Sequence, residues 1–156
     1  MTGVQTCALP ILSSPNTRQE KEILPKDIII DLDKPFVDER GKIIPLVDMT
    51  MSSCVLITSK KGTIRANHYH KTDWHFCYVL KGIIEYYHRP VGSKEKPEKV
   101  LINKGQLFFT PPMIEHAMVF KEDTEFLTLG RNSRKQQSYE SDLVRTELIS
   151  HDLAFR

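Results

Sequence analysis

The chain has 156 residues, with 22 Lys and Arg against 20 Asp and Glu, for a formal net charge of +2. That length makes one domain able to bury a core without staples, and the balanced, interspersed charge excludes a general nucleic-acid surface and a polybasic membrane anchor. No apolar run is long enough to span a bilayer, no basic region followed by an apolar stretch opens the chain, and three cysteines imply no disulfide framework. A cytoplasmic protein with neither nucleic acid nor membrane as partner is expected.

In chain order, residues 1–26 read as an N-terminal tail. Within it residues 2–11, TGVQTCALPI, resemble a sequencing adaptor translated in frame, and they are set aside together with Cys7. Strand signals begin at residues 28–30, turn through Asp38-Glu39-Arg40-Gly41, and resume at 43–47, 54–58, 63–70, 74–81, 83–89, 99–102, 106–110, 116–121 and 125–129. Lys60-Lys61-Gly62, Lys81-Gly82, Asn103-Lys104-Gly105 and Glu122-Asp123-Thr124 punctuate them. Short strands at this spacing, with no sustained helical period, predict an all-β sandwich or barrel over residues 27–130. Residues 131–156 are expected to form a short helix or strand packed outside it, with His151 in solvent. Cys54 and Cys77 lie in apolar runs, where a free cysteine behaves as a small buried hydrophobe.

The chemistry concentrates in residues 62–82, GTIRANHYHKTDWHFCYVLKG, which hold His68, His70 and His75 within eight positions. Two residues apart on a strand, His68 and His70 share a face. His75 lies at an odd offset, and a turn at Lys71-Thr72-Asp73 would return it to the same side. His116 follows the Pro111-Pro112 turn on another strand. Four neutral imidazoles converging from neighbouring strands suit a borderline divalent metal: Zn, Fe(II), Mn or Ni. If His68 and His75 point inward, parity also places Ile64, Ala66, Cys77, Val79, Met118 and Phe120 inside, as an apolar-walled pocket. Trp74, Phe76, Tyr78 and Leu80 then face outward, as an apolar patch needing cover from N-terminal strands or a second subunit. A homodimer is expected.

These residues resemble the cupins, whose first motif reads G-x5-H-x-H-x3–4-E-x6-G and whose second reads G-x5-P-x-G-x2-H-x3-N. Gly62, His68, His70 and Gly82 meet the first; Gly105, Pro111 and His116 meet the second. His75 stands where the family's metal-binding Glu belongs, Met113 replaces the motif glycine and Phe120 the terminal Asn. The resemblance implies a jelly-roll β-barrel with a mononuclear site at His68, His70, His116 and His75. Inward-pointing residues after the first motif's last glycine make Tyr86 and His88 pocket candidates. The pattern Arg65-x-x-His68 and the turn Asp38-Glu39-Arg40-Gly41 are also similar to those of cupins that act on nucleotide sugars, the dTDP-4-dehydrorhamnose 3,5-epimerases and the dTDP-4-keto-6-deoxyglucose 3,4-ketoisomerases.

By that resemblance the expected function is isomerase or epimerase chemistry on a sugar nucleotide or related keto sugar, in the supply of surface-polysaccharide precursors. His68 or His70 would handle the proton, Tyr86 is a candidate acid, Arg65 would pair with phosphate and His88 would touch substrate. In those relatives the histidine is a general base without metal. A metal-dependent Fe dioxygenase and a non-catalytic small-ligand binder remain as alternatives.

Overall fold

The computed structural model describes residues 23–156; residues 2–11 and Cys7 lie outside the described residues. Twelve strands and two short helices are described. Two five-stranded antiparallel sheets face each other. The first runs β1 (Ile29–Ile30), β9 (Leu107–Thr110), β6 (His75–Lys81), β11 (Thr124–Gly130) and β4 (Ser53–Ser59). The second runs β12 (Leu143–Arg145), β5 (Thr63–His70), β10 (Ile114–Phe120), β7 (Ile83–Pro90) and β8 (Glu98–Asn103). A separate hairpin, β2 (Phe36–Asp38) with β3 (Gly41–Ile43), contains the Asp38 to Gly41 turn. Its Arg40 side chain folds back onto Asp38. Helices α1 (Gln136–Asp142) and α2 (His151–Ala154) complete the C-terminal segment. No helix among the described residues is long and apolar enough to cross a membrane. The architecture is all-β, as the strand spacing predicts, and is the jelly roll that the resemblance implies.

Between the sheets lies the main core: Cys77, Val79, Ile84, Tyr86, Ile102, Phe108, Met118, Phe120 and Phe126, with Ala66 packed against it. The parity argument therefore holds for Ala66, Cys77, Val79, Met118 and Phe120. It fails at Ile64, for a local reason. Ala66 and Asn67 both have positive φ, at 66° and 53°, and the register slips from His116↔His68 to Ala117↔Ala66, so Asn67 is an extra residue in β5. Such a bulge, here spanning Ala66 and Asn67, reverses the facing of the residues before it. Arg65 now sits opposite the inward Met118, while Ile64 sits opposite Val119 and packs outside, on Leu148, Ile149 and Ala154. Cys54 also departs from expectation. It lies on the outer face of edge strand β4 and is exposed, whereas Cys77 is fully buried.

The apolar outer face of β6 is covered from within the chain. Trp74 and Phe76 pack with Leu107 and Phe109 beneath Leu24, Ile30, Leu32, Val47 and Met51 of the N-terminal segment, with Tyr78 at the margin. Burying that face calls for no second subunit. Leu80 stays 38% exposed.

The C-terminal segment is more integrated than a layer packed outside the barrel. Strand β12 pairs with β5, aligning Leu143 with His70 and Arg145 with His68. The bulged Asn67 holds the following turn, its amide donating to the Ile149 carbonyl at 2.9 Å and its side-chain oxygen accepting the Ile149 N–H at 3.1 Å. His151 is exposed, with Nε2 3.2 Å from the Gly62 carbonyl oxygen.

Gly82, between β6 and β7, has φ +83°, and a Cβ there would lie 2.6 Å from the Asp123 carbonyl oxygen and closer still to Thr124 Oγ1. Gly92 has the same φ with open space around it. In urea unfolding, Gly82→Ala is expected to cost clearly more than Gly92→Ala, whose loss of about 1 kcal/mol would be the backbone cost alone. Equal costs would show that the close approach to Thr124 is not rigid.

Candidate active site and metal centre

The inner ends of β5, β6 and β10 bring His68, His70, His75 and His116 together, as their spacing predicts. Ring centroids are 4.8 Å apart for His68 and His70, 4.8 Å for His68 and His116, 5.5 Å for His70 and His75, and 5.9 Å for His75 and His116. His70, His75 and His116 are buried, and His68 is partly so. The four do not form one ligand set. Donor atoms of His68, His70 and His116 lie within 4.8 Å of one another, and so do those of His70, Asp73 and His75. His75 thus joins through His70 and Asp73.

Two of the rings are oriented from outside the cluster. His70 Nδ1 lies 3.2 Å from Asp142 Oδ2, and His116 Nδ1 lies 3.0 Å from the Ile114 carbonyl oxygen. With Nδ1–H donating outward, each ring turns Nε2 inward as a lone pair, and both Nε2 atoms are buried without a hydrogen-bond partner. His75 Nδ1 is a third such atom. Imidazoles anchored through one nitrogen and bare at the other are what a divalent metal site requires. The donor set therefore fits a borderline metal ion.

Burial makes the cluster electrically neutral at pH 7. It is the main cause that pushes His68 down to about 2, helped by the His116 and His70 rings and by Arg134 and Arg145. Burial takes His116 down to about 4 against the opposing Ile114 hydrogen bond, and holds His75 well below its ordinary value. His70 is lowered by burial too, while Asp73 and Asp142 pull the other way. Burial opposes ionisation of Asp142, but hydrogen bonds from the Thr72 hydroxyl and the Asp73 and Thr72 amides, at 2.6, 3.0 and 2.8 Å, outweigh it and keep the carboxyl low.

The histidines open on a cavity of about 130 Å³, whose lining includes Arg65, Ala66, Met118, Thr128, Arg134 and Tyr139. Arg65 enters it by the bulge, with its guanidinium tied to Ser59 Oγ at 2.6 Å and to the Thr58 carbonyl at 2.8 Å. The Arg134 guanidinium lies 4.8 Å from the centre of the Tyr139 ring, and its Nε is buried without a partner. Tyr86 and His88 fall elsewhere. Tyr86 is fully buried in the core, stacks on His116 at 6.0 Å, and bonds Thr110 Oγ1 at 3.1 Å; burial pushes its phenol well up. His88, 5.6 Å beyond Tyr86, lines a second cavity of about 530 Å³ with Lys26, Arg89, Glu98 and Ile114. His88 is the cross-strand partner of His116, yet it opens on this second cavity and not on the one that the four histidines line.

Asp73, Arg134, Tyr139 and Asp142 were not singled out as site residues by sequence reasoning. Asp73 carried a signal, an acidic residue two before His75 and hence on its side of the chain. The other three come from beyond the barrel motifs, and no local pattern marks them.

Residues 55–129 match the family model described as the Cupin domain. This stretch of the chain, which contains all four clustered histidines, is a cupin domain. Among solved structures the fold is similar to a double mutant of the 3,4-ketoisomerase QdtA from Thermoanaerobacterium thermosaccharolyticum in complex with TDP, at 21% identity and a TM-score of 0.60, over 76% of this chain and 86% of that one. It is also similar to the dTDP-4-dehydrorhamnose 3,5-epimerase of Sulfolobus tokodaii, at 19% identity and 0.59, over 76% and 77%. A 3,4-ketoisomerase from Helicobacter canadensis aligns at 18% and 0.61, over 75% and 88%. Among curated proteins nothing matches the chain.

The buried imidazoles make stability depend on pH. A folded pKa of about 4 for His116, below its ordinary 6.5, means that the unfolded chain binds the proton more readily. Stability from this group is complete above pH 6.5 and is lost as pH falls toward 4, amounting to about 2 kcal/mol by pH 5. The urea midpoint should fall between pH 7 and pH 5, and His116→Gln should flatten that fall. An unchanged slope in the variant would mean that His116 is not held neutral by the fold.

Proposed function

We propose that the protein is an isomerase or epimerase of a keto sugar carried on a nucleoside diphosphate. The observation that supports this most is the pairing of neutral imidazoles with two guanidiniums around one cavity, with Arg134 Nε buried and unpartnered. A buried donor without an acceptor is costly, and an anionic ligand would relieve it. The fold similarity to 3,4-ketoisomerases and a 3,5-epimerase points in the same direction.

In this reading Arg65 and Arg134 hold the diphosphate while the sugar enters the cavity. His68, the least buried of the four, takes the proton from the carbon beside the ketone. Burial is the main cause of its depressed pKa, with the neighbouring imidazoles and cations adding to it; an anionic substrate alongside brings the opposite charge and raises its basicity. Returning the proton to the former carbonyl carbon, while the hydroxyl proton of the enediol passes from one oxygen to the other, moves the ketone, and returning it to the opposite face of the same carbon inverts the centre. Either outcome balances without a co-reactant. Tyr86, bonded to Thr110 behind His116, acts through packing rather than as the acid. A divalent ion held by the histidines, when bound, would polarise the ketone oxygen.

Incubation with TDP-4-keto-6-deoxyglucose in D2O, followed by proton NMR, should show solvent deuterium entering beside the ketone. His68→Asn should lower that rate by about 100-fold or more. Arg65→Ala should act mainly on KM. Exchange at the uncatalysed rate across TDP and UDP keto sugars would sink the reading.

A further inference from the structure

The geometry points to a metal site at His70, Asp73 and His75, with Asp73 as a direct ligand and His68 outside it. This rests on the metal-binding part of the function proposed above and names the residues that carry it. Asp73 precedes β6 and is 3% exposed. Its Oδ1 accepts the Asn132 N–H at 2.8 Å, which fixes the carboxylate and aims Oδ2 at His75 Nδ1, 3.9 Å away. That separation is too long for a hydrogen bond, yet close to the spacing of two donors that share one ion at bonds of about 2.1 Å. His75 Nδ1 and His70 Nε2 are both buried and unpartnered, and donor atoms of the three residues lie within 4.8 Å of one another.

Charge separates this set from the neighbouring one. His68, His70 and His116 would offer a dication three nitrogens and no carboxylate, whereas the second set includes Asp73. Asp73 adds a carboxylate already out of water, facing two buried ring nitrogens that have no hydrogen-bond partner. A buried carboxylate needs a cationic partner or a metal. An ion between Asp73, His75 and His70 would satisfy all three groups at once. It would also leave His68 free to move the proton.

Cobalt(II) reports the site directly, since its visible band follows the number and kind of ligands. Metal-free protein is titrated with Co²⁺, and Zn²⁺ affinity is then read by competition, for the parent, Asp73→Asn, His75→Ala, the double variant and His68→Ala, with thermal melting as the check on folding. Asp73→Asn should weaken binding by more than about tenfold and alter the cobalt band. The loss should persist on the His75→Ala background, because a direct ligand does not act through its neighbour. His68→Ala should bind as the parent does. Unchanged affinity in Asp73→Asn, or an effect that vanishes once His75 is gone, would overturn the assignment. Loss in His68→Ala with Asp73→Asn intact would move the ion to the other three histidines. A parent that binds neither ion would overturn the metal site while leaving the metal-free proton chemistry of His68 to stand or fall by deuterium exchange.

Discussion

Four imidazoles crowded to ring separations of 4.8 to 6.0 Å can be buried together only while they stay uncharged. Much of the surrounding structure serves that constraint. Each proton must be placed so that lone pairs, not N–H groups, face the common space, and the Asp142 carboxylate and the Ile114 carbonyl do this for His70 and His116. The result is a pocket of preset acceptors. Proton-accepting and metal-binding chemistry both need such atoms, and both are obstructed when an imidazole is protonated.

The residues that impose this order come largely from outside the barrel motifs. Asp142 ends α1, binds the Thr72 and Asp73 amides and touches His70, so one carboxylate pins the β5–β6 turn and orients a ring. Asn132 reinforces the same turn through Asp73 and Thr72. Asn67 fastens the chain past β12 from the other side. Melting the C-terminal segment would therefore free His70 to rotate and remove Arg134 and Tyr139 from the cavity wall, even with the barrel intact. The segment is part of the site's framework.

The fold was legible because strand alternation and glycine turns are local signals. Nine of the ten strand runs read from the sequence have a described strand within them, the run at 43–47 reducing to the end of β3, and the brief β2 had no apolar alternation to announce it. The histidine cluster was legible for the same reason, as two-residue spacing fixes a face. What escaped was non-local. No periodicity foretells that Asn67 will be surplus in β5, yet this single residue turns Arg65 inward and Ile64 outward. At Met113 the motif's glycine is gone but its geometry is kept, with φ at 58° held by an N–H donated to the His70 carbonyl at 2.8 Å. There the backbone requirement outlasted the residue that meets it most cheaply. Cys54 shows the opposite error, since an apolar run on an edge strand still has an outer face.

Charge of opposite sign is divided between two sides of the cavity. Arg65 and Arg134 stand on one part of its lining, and Asp73 and Asp142 stand behind the histidines. The imidazoles lie between the two sets, in surroundings where charges interact more strongly than in water. Arg134 adds to burial and to the neighbouring rings in discouraging protonation of His68. The carboxylates favour the opposite sign on the far side, where Asp73 and Asp142 partly offset the effect of burial on His70. When an anion neutralises the guanidiniums, the field at His68 weakens and its affinity for a proton rises. On the function proposed above, the phosphate end of the ligand would by this route raise the basicity of His68 before the sugar end reacts.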